Sequence, residues 1–121
     1  MSKLSELEVY KIANSIAEDV YKITSKWEWF DKSTIGVQFV KSSDSIAANI
    51  SEGFGRYFYK ENKLFCYYAR GSLLETFTWS LKAFERDLIS KEQYETLNQK
   101  LETLHIKLNS YIKSIGTKND K

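Results

Sequence analysis

The chain has 121 residues, its formal net charge at pH 7 is +2 from 18 basic and 16 acidic side chains, and 42% of its residues are hydrophobic. This length predicts a single domain, residues 1–121, and the near balance of charge excludes the strongly basic composition of a dedicated nucleic-acid-binding domain. The chain lacks both an apolar run of about 18 residues and an amino-terminal signal sequence, so we expect a cytoplasmic protein that does not bind membranes.

One cysteine, Cys66, and one histidine, His105, limit the chemistry of the chain. No intrachain disulfide is possible, and no activating base lies near Cys66 in the sequence, so we expect a small buried side chain rather than a nucleophile. Glu52 and Glu75 remain candidates for a paired acid and base or a metal site, but carboxylate bundles use a Glu-x-x-His motif twice and this chain has it once, at Glu102. We therefore expect no enzyme activity, no metal and no cofactor.

The first predicted helix spans residues 5–25. Apolar residues recur along it at alternating steps of four and three: Val9, Ala13, Ile16, Val20, Ile23 and Trp27. This spacing is typical of a helix that buries one face in a bundle.

A connection rich in aromatic residues follows, with two tryptophans and a phenylalanine between Lys26 and Ser33. We expect these rings to plug one end of the bundle, and an aromatic binding cup is the alternative. Asp31 or Ser33 is placed to cap the next helix.

The second predicted helix spans residues 34–58. Its buried side is expected to consist of Ile35, Phe39, Ile46, Ile50, Phe54 and Tyr57. Gly53 and Gly55 each weaken a helix by about 1 kcal/mol relative to alanine. Close approach of another backbone compensates for such a loss, so the glycines predict a tight helix contact.

The third predicted helix spans residues 61–88 and again carries a glycine, Gly71, among polar residues. Two groups of polar side chains are expected to form a paired layer between the second and third helices: Asn49, Glu52 and Arg56 on one side, and Arg70, Ser72 and Glu75 on the other. Buried polar groups need such mutual hydrogen bonding. Gly53 and Gly71 would let the two helices come close enough to form it.

The turn between these helices is the best nucleic-acid candidate in the sequence. Its cations would attract phosphate, and its rings would stack on unpaired bases. The candidate residues are Arg56, Tyr57, Tyr59, Lys60 and Lys63. The alternative is a plain helix turn whose rings contact a neighbouring subunit.

The fourth predicted helix spans residues 91–115 and opens with a capping box, in which Ser90 and Gln93 exchange hydrogen bonds. Its seam alternates steps of three and four: Tyr94, Leu97, Leu101, Leu104, Leu108, Tyr111 and Ile115. Gly116 ends the helix, residues 116–121 form a polar tail, and five lysines after residue 99 predict a modestly basic end.

Two runs, S-I-A-A-N-I-S-E-G from Ser45 and A-R-G-S-L-L-E from Ala69, resemble the signature of the four-helix bundle proteins named after the intervening sequences of bacterial 23S ribosomal RNA genes. The structural signature comprises Ser45, Asn49, Glu52, Gly53, Arg70, Gly71, Ser72 and Glu75. The resemblance extends over about residues 9–115. It departs from the family pattern after Gln38, where Val40 and Ser42 flank a single Lys41 in place of two arginines and an alanine, which weakens the case for an inherited basic groove.

The resemblance implies an all-α, antiparallel up-and-down four-helix bundle that assembles as a homo-oligomer, with five subunits expected. The family includes the accessory variability determinant protein of diversity-generating retroelements, a pentamer that binds nucleic acid and a reverse transcriptase. We therefore expect a non-catalytic, oligomeric protein associated with RNA or DNA. A protein-binding adaptor, for example a partner of a reverse transcriptase, is the alternative.

Overall fold

A computed structural model describes residues 2–116, and all regular structure within this range is helical. Four long helices dominate: α2 (Glu8–Thr24), α4 (Val37–Phe54), α5 (Tyr59–Glu85) and α6 (Lys91–Ser114). Two short helices, α1 (Ser2–Glu6) and α3 (Trp29–Asp31), and a π-helical turn, Lys32–Gly36, complete the chain. The prediction of an all-α protein is confirmed, and none of the described helices is both long enough and apolar enough to cross a membrane.

The four long helices surround one core. Helix α4 contacts α2 and α5, and α6 contacts α5 and α2, so each long helix has two neighbours. The contact between α4 and α5 is the most extensive of the four and that between α2 and α6 is the least. Large side chains from all four helices are fully buried at the centre, including Ile16, Phe39, Leu73 and Leu104.

The seams predicted for α2 and α6 supply most of their buried faces, although Ile23, Tyr94 and Tyr111 are only half-buried. Helix α6 buries Leu97, Leu101, Leu104, Leu108 and Ile112. Its first turn carries the predicted capping box: Ser90 Oγ accepts a hydrogen bond from the Gln93 backbone N–H at 3.0 Å, and Gln93 Oε1 accepts one from the Ser90 N–H at 2.9 Å. The helix ends at Ser114, one residue before the predicted end, because Ile115 is already extended; Gly116, predicted to stop the helix, follows with a left-handed φ of 84°. Residues 117–121 of the predicted tail lie outside the described residues.

The start of the second predicted helix differs from expectation. Neither Asp31 nor Ser33 caps it; the backbone is already helical from Trp29 and widens into the π turn before α4 begins. The Ser33 hydroxyl instead donates to the Phe30 carbonyl oxygen at 3.2 Å. Gly36 makes the turn compact, because a Cβ there would lie 3.2 Å from the Asp31 carbonyl oxygen.

Only one of the three aromatic residues in the connection plugs the bundle end. The Trp27 indole N–H donates to the Leu88 carbonyl oxygen at 3.1 Å, and its ring centroid lies 6.3 Å from that of Phe39. Trp29 and Phe30 are 78% and 71% exposed, so the prediction that they plug the end is wrong.

Helices α4 and α5 also end earlier than predicted. Helix α4 stops at Phe54, which is 37% exposed, and Tyr57, expected on its buried side, is 75% exposed in the following turn. Helix α5 stops at Glu85, because Asp87 adopts a left-handed φ of 59° and the Leu88 N–H donates to the Ala83 carbonyl oxygen at 2.8 Å. Such a bond from beyond the left-handed residue terminates a helix.

Candidate nucleic-acid interface and the outer face of α5

Gly53 brings the end of α4 against the start of α5, as predicted. A Cβ at this position would lie 2.8 Å from Asn62 Oδ1, 2.9 Å from the Asn62 carbonyl oxygen and 3.0 Å from Phe65 Cβ. Distances this short leave no room for any side chain. The absence of a side chain at Gly53 therefore sets how closely the two helices approach.

Gly71 does not have this role, and the prediction that it does is wrong. A Cβ built at Gly71 would meet no atom within 4 Å, and the residue is exposed on α5. Gly71 therefore faces away from α4.

The predicted polar layer between α4 and α5 is also wrong. No two of its members pair across α4 and α5, although Arg56 contacts Glu61 and Phe65 at the start of α5. Arg56 pairs with Glu52 at 2.8 Å, Asn49 donates to the Ser45 carbonyl oxygen at 2.9 Å, and Glu75 accepts from the Trp79 indole N–H at 3.1 Å. These are four-residue steps along a helix, where side chains are nearest neighbours.

Arg70 reaches α6 instead of α4. Its guanidinium donates to Asn109 Oδ1 at 2.8 Å and lies 5.1 Å from the centre of the Tyr67 ring. Ser72 is half-buried, and its carbonyl oxygen accepts a hydrogen bond from the Thr76 hydroxyl at 2.8 Å.

Two buried hydroxyls form the polar contact that does join α4 to α5. Thr76 Oγ1 lies 2.9 Å from Ser42 Oγ, with Thr76 fully buried and Ser42 4% exposed. Sequence reasoning missed this pair. The available signal was that Ser42 precedes Ile46 by four residues and so falls on the same buried stripe.

The predicted nucleic-acid residues lie in the turn between α4 and α5 and at the start of α5, a segment called here the α4–α5 turn, and the structure divides them. Tyr57 is 75% exposed, and its ring meets that of Phe58, itself 60% exposed, edge to face at 4.9 Å. Tyr59 is half-buried, and its ring lies 3.4 Å from where a Cβ on Gly116 would stand. Phe58, which the sequence analysis did not select, is therefore the second exposed ring of the turn.

The cations of the turn differ in availability. Arg56 is bound to Glu52, lies 3.7 Å from a Glu61 oxygen and stacks 4.8 Å above the centre of the Phe65 ring. Within residues 2–116, Lys60 and Lys63 form no ion pair with a carboxylate. The two lysines, rather than Arg56, supply the uncompensated positive charge here.

A stripe of exposed residues runs along α5 away from the core, and we call it the outer face of α5. It comprises Leu64, Tyr67, Tyr68, Gly71, Leu74, Thr78 and Leu81. Its large apolar residues are 42–51% exposed. From residue 64 to residue 81 the stripe measures about 25 Å at the helical rise per residue.

Two of the five lysines in the basic end predicted after residue 99 pair with acidic residues of α2. Lys100 contacts Asp19 at 2.5 Å and the Ser15 hydroxyl at 2.9 Å, and Lys107 contacts Glu8 at 3.3 Å. Lys113 is exposed, and Lys118 and Lys121 lie outside the described residues. His105 is half-buried beside the α6 seam.

Cys66 is fully buried, and burial raises the pKa of its thiol to about 11. The reactive thiolate is therefore disfavoured at neutral pH. Among residues 2–116, no three His, Cys, Asp or Glu side chains gather into a group that could hold a metal ion.

The family model of the 23S rRNA-intervening sequence proteins matches residues 5–110. The chain belongs to this family. A solved structure of a protein of unknown function from the S23 ribosomal protein family, from Bacteroides thetaiotaomicron, is similar to this chain. The TM-score is 0.78 and the identity is 22%, over 88% of this chain and 99% of that one. At that identity the likeness shows the shared fold. No curated protein matches the sequence.

Proposed function

We propose that the chain is a non-catalytic, nucleic-acid-associated protein that acts as a homo-oligomer of up-and-down four-helix bundles. The ion pairs between α2 and α6 support this topology, since Lys107 meets the start of α2 and Lys100 meets its later part. Five subunits is the number that the family resemblance suggests. The exposed rings and free lysines of the α4–α5 turn carry the nucleic-acid part of the proposal.

Self-association is supported by the outer face of α5. Apart from the adjacent Tyr67 and Tyr68, its residues follow one another at steps of three or four, the spacing of a seam between packed helices. Helix α5 thus has apolar residues on both its buried and its exposed sides, a pattern typical of a helix that is covered all round. A second copy of the chain would cover the exposed apolar stripe.

Nucleic-acid association is supported by the chemistry of the α4–α5 turn. Tyr57 and Phe58 offer exposed rings on which unpaired bases can stack, and Lys60 and Lys63 can contact phosphates. One copy has few such groups, which predicts weak binding by a monomer.

The two surfaces are connected along the chain. Lys60 precedes Leu64, the first residue of the outer face, by one helical turn. Subunits joined through α5 in a ring would place several copies of the turn at one end of the assembly. Linked weak sites bind a long polyanion much more tightly than one site does.

Fluorescence anisotropy with labelled single-stranded RNA and DNA, and with a structured RNA, tests the nucleic-acid proposal. We expect Lys60→Glu with Lys63→Glu to weaken binding and to flatten the dependence of log K on log salt by about 0.7 per lysine for single strands. The matched control, Lys11→Glu with Lys41→Glu, changes the same charge on α2 and α4 and should bind more like the wild type.

Tyr57→Ala should weaken binding to single strands without changing the salt slope, because it removes a ring and no charge. Tyr21→Ala removes an exposed ring from α2 and is its control. The nucleic-acid proposal is wrong if the assembled protein shows no salt-sensitive binding to any of the three probes at low salt.

Sedimentation of the purified chain tests self-association. We expect an assembly of several subunits, and Leu74→Arg on the outer face should reduce its mass while leaving the helical circular dichroism intact. The outer face also suits the second candidate function, an adaptor for another protein such as a reverse transcriptase. A wild-type chain that sediments as a single subunit would favour the adaptor and overturn the homo-oligomer.

A further inference from the structure

A groove of about 610 Å³ lies between α2 and α6, at the bundle end where Trp27 meets Leu88. A second depression of about 360 Å³ shares Thr96 and Lys100 with it and continues the groove towards Ile12. The groove exists because α2 and α6 have the least extensive contact of the neighbouring long helices. It follows α2 for about 18 Å, from residue 12 to the end of the helix at residue 24, and extends beyond that end to Trp27.

The floor of the groove is apolar and fixed in place. Ile23, Trp27, Leu88 and Leu97 line its wider part. The hydrogen bond from the Trp27 indole to the Leu88 carbonyl oxygen ties the two sides of the floor together at 3.1 Å. A ligand that covers this floor would gain free energy by removing apolar surface from water.

The wide end of the groove is electropositive. Lys22 and Lys26 lie one turn apart on the α2 side, and neither forms an ion pair within the part of the chain that the structure describes. Lys100 is held by Asp19, so Glu92 is the one remaining carboxylate of the lining. The amino-terminal end of α6, where the helix dipole is positive, lies at the same end.

The narrow end carries no uncompensated charge. Ser15, Thr96, Gln99 and Thr103 line it around Ile12, together with the Lys100 ammonium that Asp19 neutralises. The groove therefore combines an apolar floor, a neutral polar half and a cationic half. An occupant that matches it has an apolar stripe and carries its carboxylates at one end.

We propose that the α2–α6 groove docks an amphipathic helical segment of another protein, about four turns long, with acidic residues that pair with Lys22 and Lys26. Helix-in-groove docking uses such an apolar stripe for affinity and rim charges for orientation. A nucleic-acid strand fits less well, because three of the four floor residues are aliphatic and the fourth, Trp27, packs against Phe39 and Gly36.

The proposal goes beyond the proposed function and is independent of it. Helices α2 and α6 form the side of the bundle across from the contact between α4 and α5, so the groove stays open when the outer face of α5 is covered. The α4–α5 turn does not line the groove.

Anisotropy titrations of the full chain with synthetic fluorescein-labelled peptides test the proposal. The probe is a helical peptide of about 15 residues with a leucine stripe and glutamates at one end; matched probes replace the glutamates by lysine or the leucines by glutamine. We expect saturable binding of the acidic probe and loss of binding for both matched probes.

Two protein variants locate the binding. Lys22→Glu with Lys26→Glu should weaken the acidic probe by about tenfold or more, which corresponds to about 1.4 kcal/mol, whereas Lys11→Glu with Lys41→Glu should not. Thr96→Trp fills the groove without a change in charge and should abolish binding, and Glu102→Trp, on an exposed position of α6, is its control for fold and solubility.

Several results would overturn the docking proposal. They are the absence of saturable binding, equal affinity for the lysine probe, binding that survives Thr96→Trp, or displacement of the peptide by an oligonucleotide in the Tyr57→Ala background. Lys60→Glu with Lys63→Glu should leave peptide affinity unchanged, which separates failure of this proposal from failure of the nucleic-acid proposal.

Discussion

The inner and outer faces of α5 differ in the size of their side chains. A simple expectation places the large apolar side chains in the core and the small ones at the surface, and α5 shows the reverse. The inner face buries mostly small residues: Cys66, Ala69, Leu73, Thr76, Ser80 and Ala83. The outer face exposes leucines and tyrosines. Small residues on the inner face let α4 pack closely against α5, and Gly53 does the same from the α4 side. The large exposed residues of the outer face remain to be covered by something outside the bundle. A glycine in a helix therefore indicates close contact only when its direction is known, as Gly71 illustrates.

The largest expected effect comes from filling the inner contact. Gly53→Leu should lower the free energy of unfolding by about 3 kcal/mol or more, because its first side-chain atom already overlaps the Asn62 backbone. Urea unfolding followed by circular dichroism measures the loss. Gly71→Leu is the matched control and should unfold cooperatively near the wild-type midpoint; equal losses at the two glycines would remove the distinction between the faces.

Removing the buried hydroxyl of the inner face should have a moderate effect. Thr76→Val leaves Ser42 without its partner on α5 and should cost about 1–2 kcal/mol. Thr78→Val makes the same change two residues away on the outer face and should stay within about 0.5 kcal/mol of the wild type. The same unfolding assay compares them, and an equal cost for both variants would contradict the assignment of faces.

A smaller effect of opposite sign is expected at Gly71. Gly71→Ala should raise the free energy of unfolding by up to about 1 kcal/mol, since alanine favours helix and the site is open. If Gly71→Ala instead lowered the free energy of unfolding, and did so only at high protein concentration, the comparison of the two faces would be sharper. Such a loss would show that a second chain approaches Gly71 as closely as Asn62 approaches Gly53.

A further effect concerns pH. The pKa of Cys66 is raised from 9.0 to about 11 in the folded chain, so the thiol is protonated in both states below about pH 9, and the unfolded chain ionises first above it. The stabilisation linked to this group is therefore lost as pH rises from about 9 to about 11. The advantage of the wild type over Cys66→Ala in denaturant midpoint should therefore be larger at about pH 8 than at about pH 10.5.

Alkylation gives a direct readout of the same difference. Near pH 8, Cys66 should resist a maleimide until the chain unfolds, whereas Glu102→Cys in a Cys66→Ala background should react at once at an exposed position of α6. Rapid labelling of folded wild-type protein would contradict the burial of the thiol.

The helices were predictable because their signals are local. The seams of α2 and α6 and the capping box at Ser90 depend on residues within a few positions of one another, and the structure confirms them. The rotation of α5 was not predictable in this way, because apolar residues occupy both of its sides. Its orientation depends on where α4 lies, and Gly53 alone carried that information.

The candidate site was predicted only in part, because some of its features are local and others depend on residues distant in sequence. Exposure of Tyr57 follows from its place in a turn, but Tyr59 packs near Gly116, a residue distant in sequence. The prediction of a polar layer was wrong because polar residues at helical spacing were expected to pair across the interface between two helices. Residues four apart on the same helix lie closer together and pair with each other instead. The α2–α6 groove has no local signature, since it results from a gap between two helices.

The side of the bundle formed by α2 and α6 has a mechanical consequence. Besides its limited contact, it is joined by the pairs Lys100–Asp19 and Lys107–Glu8, whose side chains are all more than a third exposed. Dissolved ions screen such pairs, so added salt should loosen this side before any other. Amide hydrogen exchange would then begin along the facing surfaces of α2 and α6, while α4 and α5 stay protected. The bundle would open between α2 and α6 and remain joined at the Gly53 contact between α4 and α5.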